Sequence, residues 1–397
     1  MAALSMLEGY QVSPTNAFLP AEPPLRRLPK YYESWETICS DLPALIQSGQ
    51  IIDTVDELQL CSTDLLTSEP EWRRAYVLLG FMANAYLWGP ERPANRLPAS
   101  LSIPFLAVSE HLEIPPFPTY AAQNLWNVHS IDPTQPMHDP ANIHASVSFT
   151  GAPDETWFFA VPAAIEARGA PMISLALEAF EAASSHNAKL VINCLNQISG
   201  HLDGCTHILP RMYERNNPIF FYNRIRPFLS GRQISPGLSH ELYYEEEDGK
   251  SRHLRYKGPT AAQSSLWQFV DIALGISHDD EVILEMRQSM PGSHRRFLAH
   301  VAKIANIREY VTSHPQESGL HAAFNMCLES LVAFRNKHLQ MVSRYIVVPS
   351  RAPSKAFRKN NNESVVINGA AKGTGGTAPV EFLKQVRDET RESRLRG

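Results

Sequence analysis

The run F-R-N-K-H-L-Q-M-V-S-R-Y, from Phe334 to Tyr345, decides how the second half of this chain is read. Phe324, Leu331, His338 and Tyr345 fall seven residues apart, and Cys327, Leu328, Arg335 and Val342 fill the three- and four-residue offsets beside them. That spacing gathers all eight onto one face of a helix over about residues 322–346. The face is apolar except for His338 and, one turn earlier, Arg335. A buried imidazole needs a partner. A backbone carbonyl is the common one and a metal ion the rarer one. Arg335 adds a cation suited to an anionic group of a cofactor. Spacing alone does not choose between these partners.

Outward from this seam, apolar periodicity predicts helices over about 171–186, 188–203, 218–229, 264–276, 279–289 and 294–311, with an amphipathic one over 379–394. Toward the N-terminus, Trp35, Ile38, Cys39, Leu42, Leu45 and Ile46 repeat at helical spacing, and a strong helix over 71–88 carries Trp72, Ala75, Tyr76, Leu79 and Met82. Repeated prolines between Pro90 and Pro118 argue against long helices there. Strands are expected at H-A-S-V-S-F and T-W-F-F-A-V, within residues 140–161, with G-A-P-D-E between them as a hairpin-like turn or a domain junction.

The expected architecture is mainly α. Residues 1–27 form an irregular, Pro-rich arm, 28–150 a small mixed, mostly helical domain, and 151–397 a large all-helical domain. Within the last, residues 349–377 are polar and Gly-rich and predict a mobile loop. A stretch of that length inside a compact domain is commonly a functional lid.

A hydrophobic share of 44%, a charged share of 19% and a net charge of −5 over 397 residues suit a globular chain without a nucleic-acid footprint. Five scattered cysteines without a C-x-x-C pair argue against a zinc ribbon or disulfide scaffold. The N-terminus has no basic and apolar leader pattern, and no apolar run approaches the roughly 20 residues of a membrane span. A cytoplasmic location is the expectation.

H-E-x-x-H, G-x-S-x-G, Walker and G-x-G-x-x-G signatures are all missing. His201, Cys205 and His207 cluster in G-H-L-D-G-C-T-H, where a helix terminus or loop is the commoner reading than a metal site. Phe221 and Tyr222 precede Arg226 by about one helical turn. An aromatic surface beside a guanidinium suits an aromatic amino acid, with the ring stacked and the carboxylate forked. The alternative is a surface arginine whose stem covers core.

Several uncommon strings occur together and in order: A-Y-L-W-G, E-I-P-P-F-P-T-Y-A, F-F-A-V-P-A-A-I-E-A-R-G-A, T-A-A-Q-S-S-L-W-Q-F-V-D-I-A-L-G-I, M-P-G-S-H-R-R-F-L, the His338 run and A-K-G-T-G-G-T. From about Leu28 onward the chain resembles the indoleamine 2,3-dioxygenase family. The resemblance implies a haem enzyme that inserts both atoms of O2 across the indole C2–C3 bond of tryptophan, giving N-formylkynurenine, the first step of the kynurenine pathway toward NAD.

The large helical domain is then the haem-binding one, with haem b, ferrous when active, on His338. Arg335 is implied as a propionate partner, with Thr260 and Ala261 approaching the haem plane. Phe158 and Phe221 would wall the distal pocket near Tyr120 and Tyr222. Arg226 would hold the substrate carboxylate, and Thr374 would close over it. The implied partners are tryptophan or a related indole, O2 and an electron donor; the protein would be a monomer, with no nucleic acid or membrane. No acid–base dyad or nucleophile is needed.

Pro162 departs from the small hydroxyl residue of better-known relatives, Gln123 and Asn124 replace smaller or apolar ones, and Pro259 stands where glycine is common. These changes alter pocket polarity. They keep open two alternatives: the same chemistry on another indole, and a haem- and O2-binding homologue with little turnover.

Overall fold

The computed structural model describes residues 2–90, 93–232, 241–278, 281–351 and 378–395. The apolar seam of the opening run forms the helix Leu320–Val342, entered through Gly319 at φ 86°. Its buried positions include Phe324, Cys327, Leu328, Leu331, Phe334 and Arg335, as the spacing predicts. It packs along Ala188–Ile208, whose first turn is capped by Asn187 Oδ1 accepting from Leu190 N at 3.2 Å. Ser199 and Ser330 share a buried hydroxyl hydrogen bond of 2.9 Å across that interface. Pro171–Ser184 flanks one side of the pair, and Pro379–Glu392 packs on Leu320–Val342.

The Glu69–Trp88 helix begins with a capping box between Ser68 and Glu71 and is buried on every face from Arg74 to Leu87. Arg74 on this helix forks onto the buried Glu36 at 2.6 and 3.1 Å. Buried side chains from Leu7 to Tyr345 belong to one continuous cluster.

Five local expectations are corrected. Thr156–Val161 is not a strand but lies inside the helix Pro153–Gly169. Pro153 at its start and Asp154 and Glu155 in its first turn favour the helix, and burial of its aromatics satisfies them in either geometry. Ala99–His111 is a 13-residue helix in the proline-rich region, with Pro104 inside it. Two strands, Glu241–Glu245 and Ser251–Arg255, form an unpredicted antiparallel ladder, with Arg96–Leu97 added in parallel. Of H-A-S-V-S-F only the first two residues pair, in Ile143–Ala145 against Val128–Ser130. The first residues hold the helix Ala2–Gly9, and Phe18 packs on His294 at 4.8 Å between ring centres, so this stretch lies on the core. Most of the expected 349–377 loop, from residue 352 on, lies outside the described residues.

Candidate active site

Three single turns of π-helix, Ala121–Leu125, Phe221–Ile225 and Ser343–Val347, interrupt the regular structure. All three border a cavity of about 300 Å³. Such turns widen a helix locally and cluster at functional sites. Further walls come from Pro153–Gly169, the segment from Pro259 to Asp271, Glu281–Arg287, Leu320–Val342 and Pro379–Glu392, with Leu209, Met212 and Leu229.

His338 lines this cavity. Its ring nitrogens have no hydrogen-bond partner among the described residues, and Phe334 lies 6.4 Å away, ring to ring. Phe334 itself stacks on Trp267 at 3.9 Å, which fixes the wall below the imidazole. Enclosure by protein, with the Arg335 charge nearby, pushes the His338 pKa down to about 4. The imidazole is therefore neutral at pH 7, with no protein donor to its lone pair among the described residues. A neutral imidazole of this kind suits metal ligation. Among the described residues no cluster of three His, Cys, Asp or Glu side chains could hold a bare ion, so the single imidazole suits a group that brings its other ligands with it, as haem does. The apolar, aromatic walls fit that group as well.

Arg335 also lines the cavity, but its guanidinium is engaged. Nη2 donates to both oxygens of Asp271 at 2.6 and 2.7 Å, and Nη1 to the Val386 carbonyl at 3.2 Å. Burial raises the Asp271 pKa, yet the charges of Arg335 and His278 outweigh it and hold the carboxyl below its ordinary value. His278 bonds through Nδ1 to Glu389, and its Nε2 lies 3.1 Å from Asp271. Arg335 thus ties the His338 helix to Ser265–Ala273 and to the helix Pro379–Glu392.

Across the cavity the aromatics Phe158 and Phe221 meet at 4.7 Å, and Phe221 meets Tyr345 edge-on at 5.6 Å. Pro162 lies inside its helix and has no N–H, which leaves the Phe158 carbonyl without its helical donor. Tyr120 donates to Glu166 Oε1 at 3.0 Å, and Ser264 donates to the same oxygen at 2.6 Å. Burial lifts the Glu166 pKa to about 7 against the lowering effect of these two hydroxyls. Gln263 Oε1 accepts from Tyr120 N at 2.9 Å, holding the turn Ala261–Gln263 against the Tyr120 segment. Thr260 caps that turn through Ala262 N at 3.4 Å.

The structure therefore brings His338, Arg335, Tyr120, Asn124, Phe158, Pro162, Phe221, Thr260 and Ala261 to one cavity. Arg226 and Tyr222 are not among its walls. Arg226 is 2% exposed, with its guanidinium 5.2 Å from the centre of the Tyr222 ring. Thr374 lies outside the described residues. His201, Cys205 and His207 sit within Ala188–Ile208 and bond to Arg168, Ile165 O and Asp203 O. Gly204 leaves room there for the Arg168 guanidinium, which would have to shift if a Cβ were present.

The family model described as "Indoleamine 2,3-dioxygenase" matches residues 6–393. This chain belongs to the indoleamine 2,3-dioxygenase family. It is similar to a Fusarium equiseti protein named 6-hydroxytryptophan 2,3-dioxygenase, at 44% identity over 98% of both chains. It is also similar to the Saccharomyces cerevisiae indoleamine 2,3-dioxygenase, 35% identical over 98% of this chain and 94% of that one. Human indoleamine 2,3-dioxygenase 2 is 33% identical over 98% and 95%. As a family member the chain is a haem-dependent dioxygenase that acts on an indole with O2.

Sequence reasoning missed Glu166, Ser264, Trp267, Asp271 and the wall built by Phe382, Leu383 and Val386. Glu166 did leave a signal: a lone carboxylate in the apolar run A-A-I-E-A. The others carry no mark in one sequence, because only the tertiary fold brings them to the cavity.

Proposed function

We propose that the chain cleaves the indole C2–C3 bond of a tryptophan-type amino acid, with L-tryptophan as parent substrate and N-formylkynurenine as product. One oxygen atom goes to each carbon, both end as carbonyls, and the electrons balance within substrate and O2. This is the first step of the kynurenine route toward NAD. The cofactor is haem b held by His338, kept ferrous by a separate electron donor. When bound, the haem activates O2 for addition to the indole.

The protein's own part is positional. Phe158 and Phe221 would flank the indole, Tyr120, Asn124 and Pro162 would shape the surface beside them, and Thr260 and Ala261 would help hold the haem. Arg335 ties the His338 helix to Asp271 and would pair with the haem carboxylates by sharing that bond. Arg226 forks to the substrate carboxylate once the Phe221–Ile225 turn shifts it from beneath Tyr222, and Thr374 closes the site. The protein acts as a cytoplasmic monomer.

The observation that supports this most is the unpartnered, neutral imidazole of His338 on the wall of an apolar cavity, in a chain of this family. The test is incubation of reduced, haem-loaded protein with L-tryptophan and O2, with product followed by mass spectrometry. A protein that binds O2 yet forms no N-formylkynurenine from L-tryptophan or a substituted indole would be an oxygen-binding homologue instead. A ring-substituted substrate is the second reading, favoured by the relative named 6-hydroxytryptophan 2,3-dioxygenase.

A further inference from the structure

The polar groups on the cavity wall are almost all spoken for. Tyr120 and Ser264 give their hydroxyls to Glu166, Gln268 bonds to Ile283 O and Arg287, and Asp271 and Arg335 hold each other. Two side chains on the Ala121–Leu125 π turn differ. Gln123, 2% exposed, makes no hydrogen bond through its amide among the described residues, and its Nε2 is fully buried. Asn124, 4% exposed, uses its Nδ2 on the Tyr120 carbonyl at 3.3 Å, while its Oδ1 is buried without a partner. A donor and an acceptor thus stand unpaired on adjacent residues of one turn, both lining the cavity. Buried amides are ordinarily paired, and an unpaired one at a site wall calls for a ligand group that completes it.

We infer that Gln123 and Asn124 form a hydroxyl-binding notch, so that this site selects indole amino acids hydroxylated on the benzo ring. A hydroxyl both accepts and donates, matching Gln123 Nε2 and Asn124 Oδ1 together. The indole N–H only donates, and C2 and C3 are the reacting carbons. In the reading above the amino-acid head belongs to Arg226, which is not among the walls that carry this turn. The benzo carbons are what remains to carry the group that meets the notch. A notch of this kind discriminates by penalising the substrate that lacks the hydroxyl, since that substrate leaves the amides buried and unpaired. The inference rests on the indole dioxygenase reading above and specifies its substrate class.

Isothermal titration of the ferric holoprotein with L-tryptophan and with its 5- and 6-hydroxy derivatives reads the notch without turnover. One hydroxylated ligand should bind about 10- to 100-fold more tightly than L-tryptophan, the range expected for satisfying buried polar groups. Steady-state kcat/KM should follow the same order. Gln123→Met and Asn124→Leu should each erase the preference, the hydroxylated ligands falling to the L-tryptophan constant of the same variant, with haem content near that of the parent protein. Equal binding of all three ligands by the parent protein, as when water fills the notch, would overturn the inference. So would variants that lose L-tryptophan and the hydroxylated ligands in equal measure. A holoprotein that binds a hydroxylated ligand preferentially but turns over none of the three would retain the notch and defeat the dioxygenase reading.

Discussion

Glu166→Gln tests the most perturbed carboxyl beside the cavity. The Glu166 pKa stands at about 7 against an ordinary 4.5, because burial of the carboxylate outweighs the hydroxyls of Ser264 and Tyr120. At about 1.4 kcal/mol per pH unit, that displacement corresponds to about 3 kcal/mol of folding free energy. A folded-state value above the unfolded one means that the stability is present below pH 4.5 and lost as pH rises through 7. Glutamine mimics the neutral acid: its carbonyl can accept from both hydroxyls, and it never ionises. The two holoproteins should therefore be nearly equal in stability at about pH 5, and the variant more stable by up to about 3 kcal/mol at about pH 8. Equilibrium urea unfolding at several pH values measures this, and every other titrating group cancels in the difference. A difference that stays flat across that range would refute the assignment of a proton to Glu166.

His338→Gly should abolish haem retention, and added imidazole should restore the Soret band; a variant with a normal haem spectrum would remove His338 as ligand. Asp271→Asn should destabilise the fold by about 3–5 kcal/mol, since it strands the Arg335 charge in a buried pair, and Asp271→Leu combined with Arg335→Met should recover much of that loss on chemical unfolding. Arg226→Ala should cost about 2–5 kcal/mol in kcat/KM with haem content unchanged, whereas unchanged kinetics would exclude it from carboxylate binding.

The seam from Phe324 to Tyr345 was legible because a 3.6-residue period repeated over six turns leaves few alternatives, and the polar intruders His338 and Arg335 stood out against it. What Arg335 touches was not legible. Asp271 is 64 residues away, and nothing in either local run marks the pair. Thr156–Val161 was misread because aromatic and β-branched residues suit a strand, while the buried setting of Pro153–Gly169 accepts them as a helix. Glu241–Glu245 and Ser251–Arg255 carry little apolar pattern, since each is only five residues long and the second has Leu254 as its one aliphatic side chain. The three π turns leave no periodic trace at all, although each carries cavity residues. The motif strings, by contrast, gave the family outright. Gln123, Asn124 and Pro162 stand out in the sequence as departures from the family pattern.

The helix Pro379–Glu392 gives the cavity the wall of Pro379, Phe382, Leu383 and Val386, and every other wall residue lies at or before Ile346. During synthesis this wall is therefore the last to leave the ribosome. Until it docks through Arg335 and Glu389, the face that bears His338 is open on one side. A chain stalled before residue 379 would present an apolar, half-built cleft, the kind of exposed surface that makes folding intermediates prone to aggregate.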